Sequence, residues 1–152
     1  NLKIGFNYWI KGLFIMVTSS FILSLFHLGI TTNEQTSREL INNYPISEII
    51  VAIIFAPILE EIVFRKSFKK FTTNKHIFAF TTGIIFGGIH IISSLNNPIN
   101  LLFLIPYSSM GIAFGYAYYQ TDNICTTMYI HSFHNLITII ALIIVGGILW
   151  MK

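Results

Sequence analysis

Residues 46–75 read ISEIIVAIIFAPILEEIVFRKSFKKFTTNK, and this stretch decides what kind of molecule the chain builds. From Ile46 to about Phe64 it is an apolar run long enough to cross a hydrocarbon core of roughly 30 Å as a helix. The run ends on Arg65, Lys66, Lys69 and Lys70, and Lys75 follows the turn-like Thr72-Thr73-Asn74. Yet two adjacent carboxylates, Glu60 and Glu61, stand inside its apolar part. A charge at the centre of a membrane helix costs about 2.5–3.5 kcal/mol. Glu60, Glu61 and Arg65 must therefore face a protein interior or a water-filled chamber, which marks a candidate functional site.

The rest of the chain has the same character. Of 152 residues, 54% are hydrophobic and only 10% charged, with a mean hydropathy of +0.71. A soluble domain carries roughly a quarter charged residues, so this composition excludes a soluble enzyme, a nucleic-acid binder and a disordered tail. The single cysteine, Cys125, excludes a disulfide framework or a CxxC site and reads as a small apolar filler. Outward from the central run, further apolar segments cover about Gly12–Ile30, Ile77–Ile92, Leu101–Tyr119 and Ile124–Trp150. The last is long enough to tilt, or to break at Gly146-Gly147. The polar stretch Thr31–Pro45 reads as a loop or an interfacial helix, and Asn96-Asn97-Pro98 and Thr121-Asp122-Asn123 as turns. The expected fold is all-α: a polytopic bundle of about five membrane spans forming one domain over residues 1–152. Because the chain begins on Asn1 rather than Met, further helices are expected before it.

Orientation follows from the basic residues. Lys66, Lys69, Lys70 and Lys75 crowd one short loop, and alternation of the spans puts Lys3 and Lys11 on the same side. The positive-inside rule places that side in the cytoplasm. The lysine cluster itself reads as a topology signal with lipid headgroup contact.

Helical geometry separates the two glutamates. Glu61 and Arg65 are four residues apart, on one face and in the favourable acid-first order. Glu60 is turned by about 100° and is left free for chemistry. An ion-paired helix end at the headgroup level is the plain alternative. On the next span, Phe86-Gly87-Gly88-Ile89-His90 carries an intramembrane imidazole. Residues 60 and 90 are equidistant from residue 75; if both helices run unbroken to that turn, each lies about 22 Å below it. Gly83 and Gly87, and Gly111 and Gly115, have the small-xxx-small spacing that lets backbones approach, within or between chains. On the last span His131 and Asn135 share a face, with His134 beside them. An imidazole and an amide are suited to holding a developing oxyanion, or to joining helices by polar contacts.

Together, Glu60-Glu61-x-x-x-Arg65, Phe86-x-x-x-His90 and His131-x-x-x-Asn135 resemble the three motifs of the CAAX protease and bacteriocin-processing family. These are also called the Abi or Rce1-like intramembrane glutamic proteases. The resemblance covers residues 46–140. It implies that Glu60 is the catalytic carboxylate, that His90 helps it activate water, and that His131 and Asn135 stabilise the oxyanion. Glu61, Arg65 and Phe86 would shape the site. It further implies an endopeptidase without a cofactor that acts on a membrane-associated peptide or protein in the cell membrane, its site opening toward the cytoplasm. One rival keeps the protease but uses zinc on His90, His131 and His134, although no H-E-x-x-H is present. Another is a non-catalytic immunity or regulatory protein that binds a peptide. A small transporter has less support, because the sequence shows no paired broken helices.

Overall fold

The computed structural model describes residues 1–150, with side chains through residue 144. Its α-helices are α1 (Leu2–Leu25), α2 (Thr32–Asn43), α3 (Pro45–Ile50), α4 (Ala56–Glu61), α5 (Lys75–Ile91), α6 (Leu104–Thr121) and α7 (Ile124–Trp150). No strand occurs among the described residues. Four segments are long and apolar enough to cross a membrane: Leu2–Leu25, Lys75–Ser94, Pro98–Thr121 and Ile124–Ile144. The Gly146-Gly147 break lies outside the residues whose side chains are described.

The central run of the sequence is a composite rather than a fifth uninterrupted span. Over residues 45–66, α3 and α4 alternate with two π-helical turns, Val51–Phe55 and Ile62–Lys66. The cause of the first lies in Pro57. Its ring nitrogen has no hydrogen to donate, and in an α-helix it would crowd the carbonyl four residues back. The backbone widens instead, and the Ala56 N–H reaches back five residues to the Val51 carbonyl.

The first span also differs from expectation at both ends. It begins at Leu2 rather than Gly12 because lysines near a helix end carry their charge outward on long stems; the Lys11 ammonium lies 5.6 Å from the Tyr8 ring centre. It stops before Ile30 because His27 and Gly29 adopt left-handed backbone, with φ of 54° and 71°, which no helix continues. The polar stretch that follows is the helix α2. The Thr31 hydroxyl accepts the Glu34 N–H at its start, and Glu34 pairs with Arg38 at 2.6 Å.

Helices α5 and α6 form the rigid centre. A Cβ added to Gly111 would lie 2.8 Å from the Gly83 carbonyl, and one added to Gly115 would lie 2.9 Å from the Ala79 Cα. The paired glycines therefore bring these two backbones together within the chain. Helix α1 packs on the other side of α6, where the Ser109 hydroxyl donates to the Gly12 carbonyl at 3.2 Å. Trp9, Met110, Phe114, Ala117 and Ile130 fill the space between α1, α6 and α7. On the outside, Phe14, Phe21, Phe71 and Ile92 are each about two-thirds exposed. An apolar surface of that extent fits lipid and not water. This is a multi-pass membrane protein.

The turns sort as alternation predicts. Lys69 pairs with Asp122 at 3.0 Å, the Tyr119 hydroxyl donates to the Thr73 carbonyl, and His76 bonds the Tyr116 hydroxyl at 2.7 Å. Tyr8 stacks on Tyr116. The lysine turn, the 121–123 turn and the first half of α1 thus share one end of the bundle. At the opposite end Thr32 N–H donates to the Ser94 hydroxyl at 2.8 Å, and Asn100 donates to the Ser94 carbonyl at 2.8 Å.

Candidate active site

Arg65 is the floor of the site. Its guanidinium and the Glu61 carboxylate are both fully buried, 3.3 Å apart. Arg65 Nη2 donates to the Gly111 carbonyl at 2.9 Å, so the central α5–α6 unit receives the charge directly. The Phe86, Phe114 and Phe64 rings lie 4.9, 5.7 and 5.9 Å from its central carbon. Burying two charges is costly unless they are paired and further bonded, and the aromatic faces add attraction for the cation. Glu61 and Arg65 are paired across their four-residue spacing, and the Phe86 ring lies against the guanidinium.

On this floor stands His131. Its Nδ1 lies 2.9 Å from Glu61 Oε1. A carboxylate paired to arginine only accepts hydrogen bonds, so Nδ1 carries the hydrogen and donates it. The ring stacks on Phe114 at 4.6 Å and meets Phe86 edge-on at 5.7 Å. With Nδ1 fixed, Nε2 is turned to Glu60, 3.7 Å from its Oε2. That gap is too long for a direct hydrogen bond. Glu60 keeps 27% of its side chain exposed, against none for Glu61. Two consecutive carboxylates are thus held in different environments, one locked and one open.

His90 is held from three sides. Its Nδ1 lies 2.8 Å from the Phe86 carbonyl; a carbonyl only accepts, so Nδ1 bears the hydrogen and Nε2 presents its lone pair. The ring lies between Phe86, at 4.4 Å, and Tyr107, at 5.3 Å and nearly parallel. The Tyr107 hydroxyl in turn bonds the buried Thr31 hydroxyl at 2.9 Å. No hydrogen bond or ion pair joins Glu60 to His90 among the described residues; Phe86 touches both His90 and His131, and it is His131 that meets Glu60. The two helices do not run unbroken to the turn at residue 75: the composite helix ends at Lys66 and a 3-10 turn, Lys69–Phe71, follows it.

Asn135 donates through Nδ2 to the Ala52 carbonyl at 2.8 Å, leaving its second amide hydrogen unassigned. His134 lies beside Phe114 with its Nδ1 buried and unbonded. Among the described residues no three His, Cys, Asp or Glu side chains gather as metal ligands, so His90, His131 and His134 do not form the cluster a zinc site requires. Sequence reasoning missed Tyr107 and the Gly111 carbonyl. Neither carries a local signal, since each acts through a neighbour on another helix. Pro57, three residues before Glu60, carries a local signal: a residue with no backbone hydrogen inside a helix.

Over residues 42–137 the sequence matches the type II CAAX prenyl endopeptidase Rce1-like family. It is 31% identical over 140 residues to "Putative membrane peptidase YdiL" of Bacillus subtilis (strain 168), an alignment covering 86% of this chain and 54% of that protein. It is also 30% identical over 101 residues to an "Uncharacterized protein" of Mycoplasma capricolum subsp. capricolum, covering 66% of this chain and 29% of that protein. The chain thus spans 54% or less of the length of these relatives. No solved structure matches it.

Proposed function

The chain belongs to the Rce1-like family of type II CAAX prenyl endopeptidases, and from that membership we propose that it hydrolyses a peptide bond of a membrane-associated peptide or protein within the bilayer. The observation that carries this reading is the division between Glu60 and Glu61. Glu61 is consumed by Arg65 and His131, whereas Glu60 remains open and without an arginine partner.

Water is the nucleophile. The Glu60 carboxylate takes its proton as the oxygen attacks the scissile carbonyl carbon, and the His90 Nε2 lone pair orients the water. Charge then builds on the former carbonyl oxygen. His131, when protonated at Nε2, and the second Asn135 amide hydrogen donate to it. Collapse of the tetrahedral intermediate breaks the carbon–nitrogen bond, and the leaving amine takes the proton held by Glu60. The scheme uses no metal and no protein nucleophile. The lysine end of the bundle faces the cytoplasm by the positive-inside rule, and the site opens toward it in the cell membrane.

The test compares membrane peptidomes of cells carrying the wild type and Glu60→Gln at equal protein levels. A cleavage product present only with the wild type supports the reading and identifies the substrate. Identical peptidomes would overturn it in favour of a non-catalytic peptide-binding protein.

A further inference from the structure

The backbone beside the site has two registers available to it, and in each Pro57 withholds the hydrogen bond of one carbonyl. In an α-helical register, Pro57 faces the Ile53 carbonyl, cannot donate to it and crowds it. In the π register that the structure adopts, Ala56 N–H goes to Val51, and the next bond in the series would run from residue 57 to Ala52. Residue 57 is proline, so the Ala52 carbonyl is the orphan. A backbone polar group away from water needs a partner, and one arrives from a different helix. Asn135 Nδ2, on α7, donates to Ala52 O at 2.8 Å.

We propose that Asn135 is a positioning residue: its amide selects the π register at Pro57, and so fixes the rotation of the turn that carries Glu60 and Glu61. One residue of register is worth about 100° of rotation. Without the selection, Glu60 and Glu61 would both turn away from His131, and Arg65 from the Gly111 carbonyl. π-turns inserted in α-helices are common at functional sites, and here the sequence shows how one is held. The proposal deepens the peptidase reading, and only its cleavage arm rests on that reading.

The experiment is a double-mutant cycle on the full chain in detergent, with wild type, Pro57→Ala, Asn135→Ala and the double variant. Thermal unfolding needs no substrate. Asn135→Ala is expected to lower Tm by several degrees when residue 57 is proline. The loss should be far smaller in the Pro57→Ala background, because alanine at that position supplies the missing N–H. If Asn135→Ala does not fold alone, recovery of folded protein by adding Pro57→Ala gives the same answer. Equal losses in both backgrounds, or a double variant that also fails to fold, would overturn the proposal. The second readout is cleavage of whichever product disappears with Glu60→Gln. Pro57→Ala alone is expected to keep or raise Tm yet lower kcat at least tenfold, since a residue 57 that can donate to Ile53 lets the α register compete with the π register that Asn135 selects. A Pro57→Ala protein that cleaves at the wild-type rate would equally overturn it. Failure of the peptidase reading appears elsewhere, as a peptidome indifferent to Glu60.

Discussion

Glu60 and Glu61 are adjacent in the chain but differ in environment, and substitutions should expose the difference. Glu61→Gln strands a buried guanidinium, and breaking such a pair costs about 3–5 kcal/mol; unfolding of the purified protein should show the loss directly. Glu60→Gln removes no buried partner, so its stability should stay within about 0.5 kcal/mol of wild type while cleavage disappears. Tyr107 gives a second contrast. Tyr107→Phe keeps the ring against His90 and loses only the Thr31 hydrogen bond, whereas Tyr107→Leu loses both. Cleavage should fall in that order, with the leucine variant at least tenfold slower. At this scale the sequence disclosed what is local. The Glu61–Arg65 pair follows from a four-residue spacing on one helix. The meeting of Glu60 with His131 does not, because it depends on how α4 and α7 approach each other.

Among the elements, the closest approach is that of α5 and α6. The glycines that allow it were legible as spaced small residues, though not which helix each would meet. Gly111→Ala places a methyl group against the Gly83 backbone and should destabilise the protein by about 1–3 kcal/mol, as overpacking does. Gly88→Ala meets nothing within 4 Å and should be neutral or slightly stabilising, since alanine favours helix over glycine. Unfolding of the two variants side by side checks both. Span positions were readable from hydropathy, which reports what lipid tolerates. The interruption at residues 51–55 is not legible that way, because hydropathy does not register whether a backbone nitrogen carries a hydrogen.

For the whole molecule, the ion pair between Lys69 and Asp122 gathers the basic turn and the start of α7 at one end. Cys125 is exposed there and is the sole thiol, a built-in reporter of sidedness. A membrane-impermeant maleimide should label it in inside-out vesicles and not in intact cells. The alternation that puts these turns together is legible from the order of the apolar spans. The docking of α1 on α6 was not, since its contacts pair residues about a hundred positions apart. Finally, the tight backbone contact between α5 and α6 has a mechanical consequence. Two helices that touch main chain to main chain cannot be parted by swinging side chains aside, so under the proposed peptidase reading that wall would stay shut to a substrate. The same reading would assign entry to the flank of the composite helix, which presents Ile58, Leu59 and Ile62 outward and has a widened turn on either side of α4 to bend at. A crosslink clamping that flank should silence the protein, whereas one clamping α5 to α6 should go unnoticed.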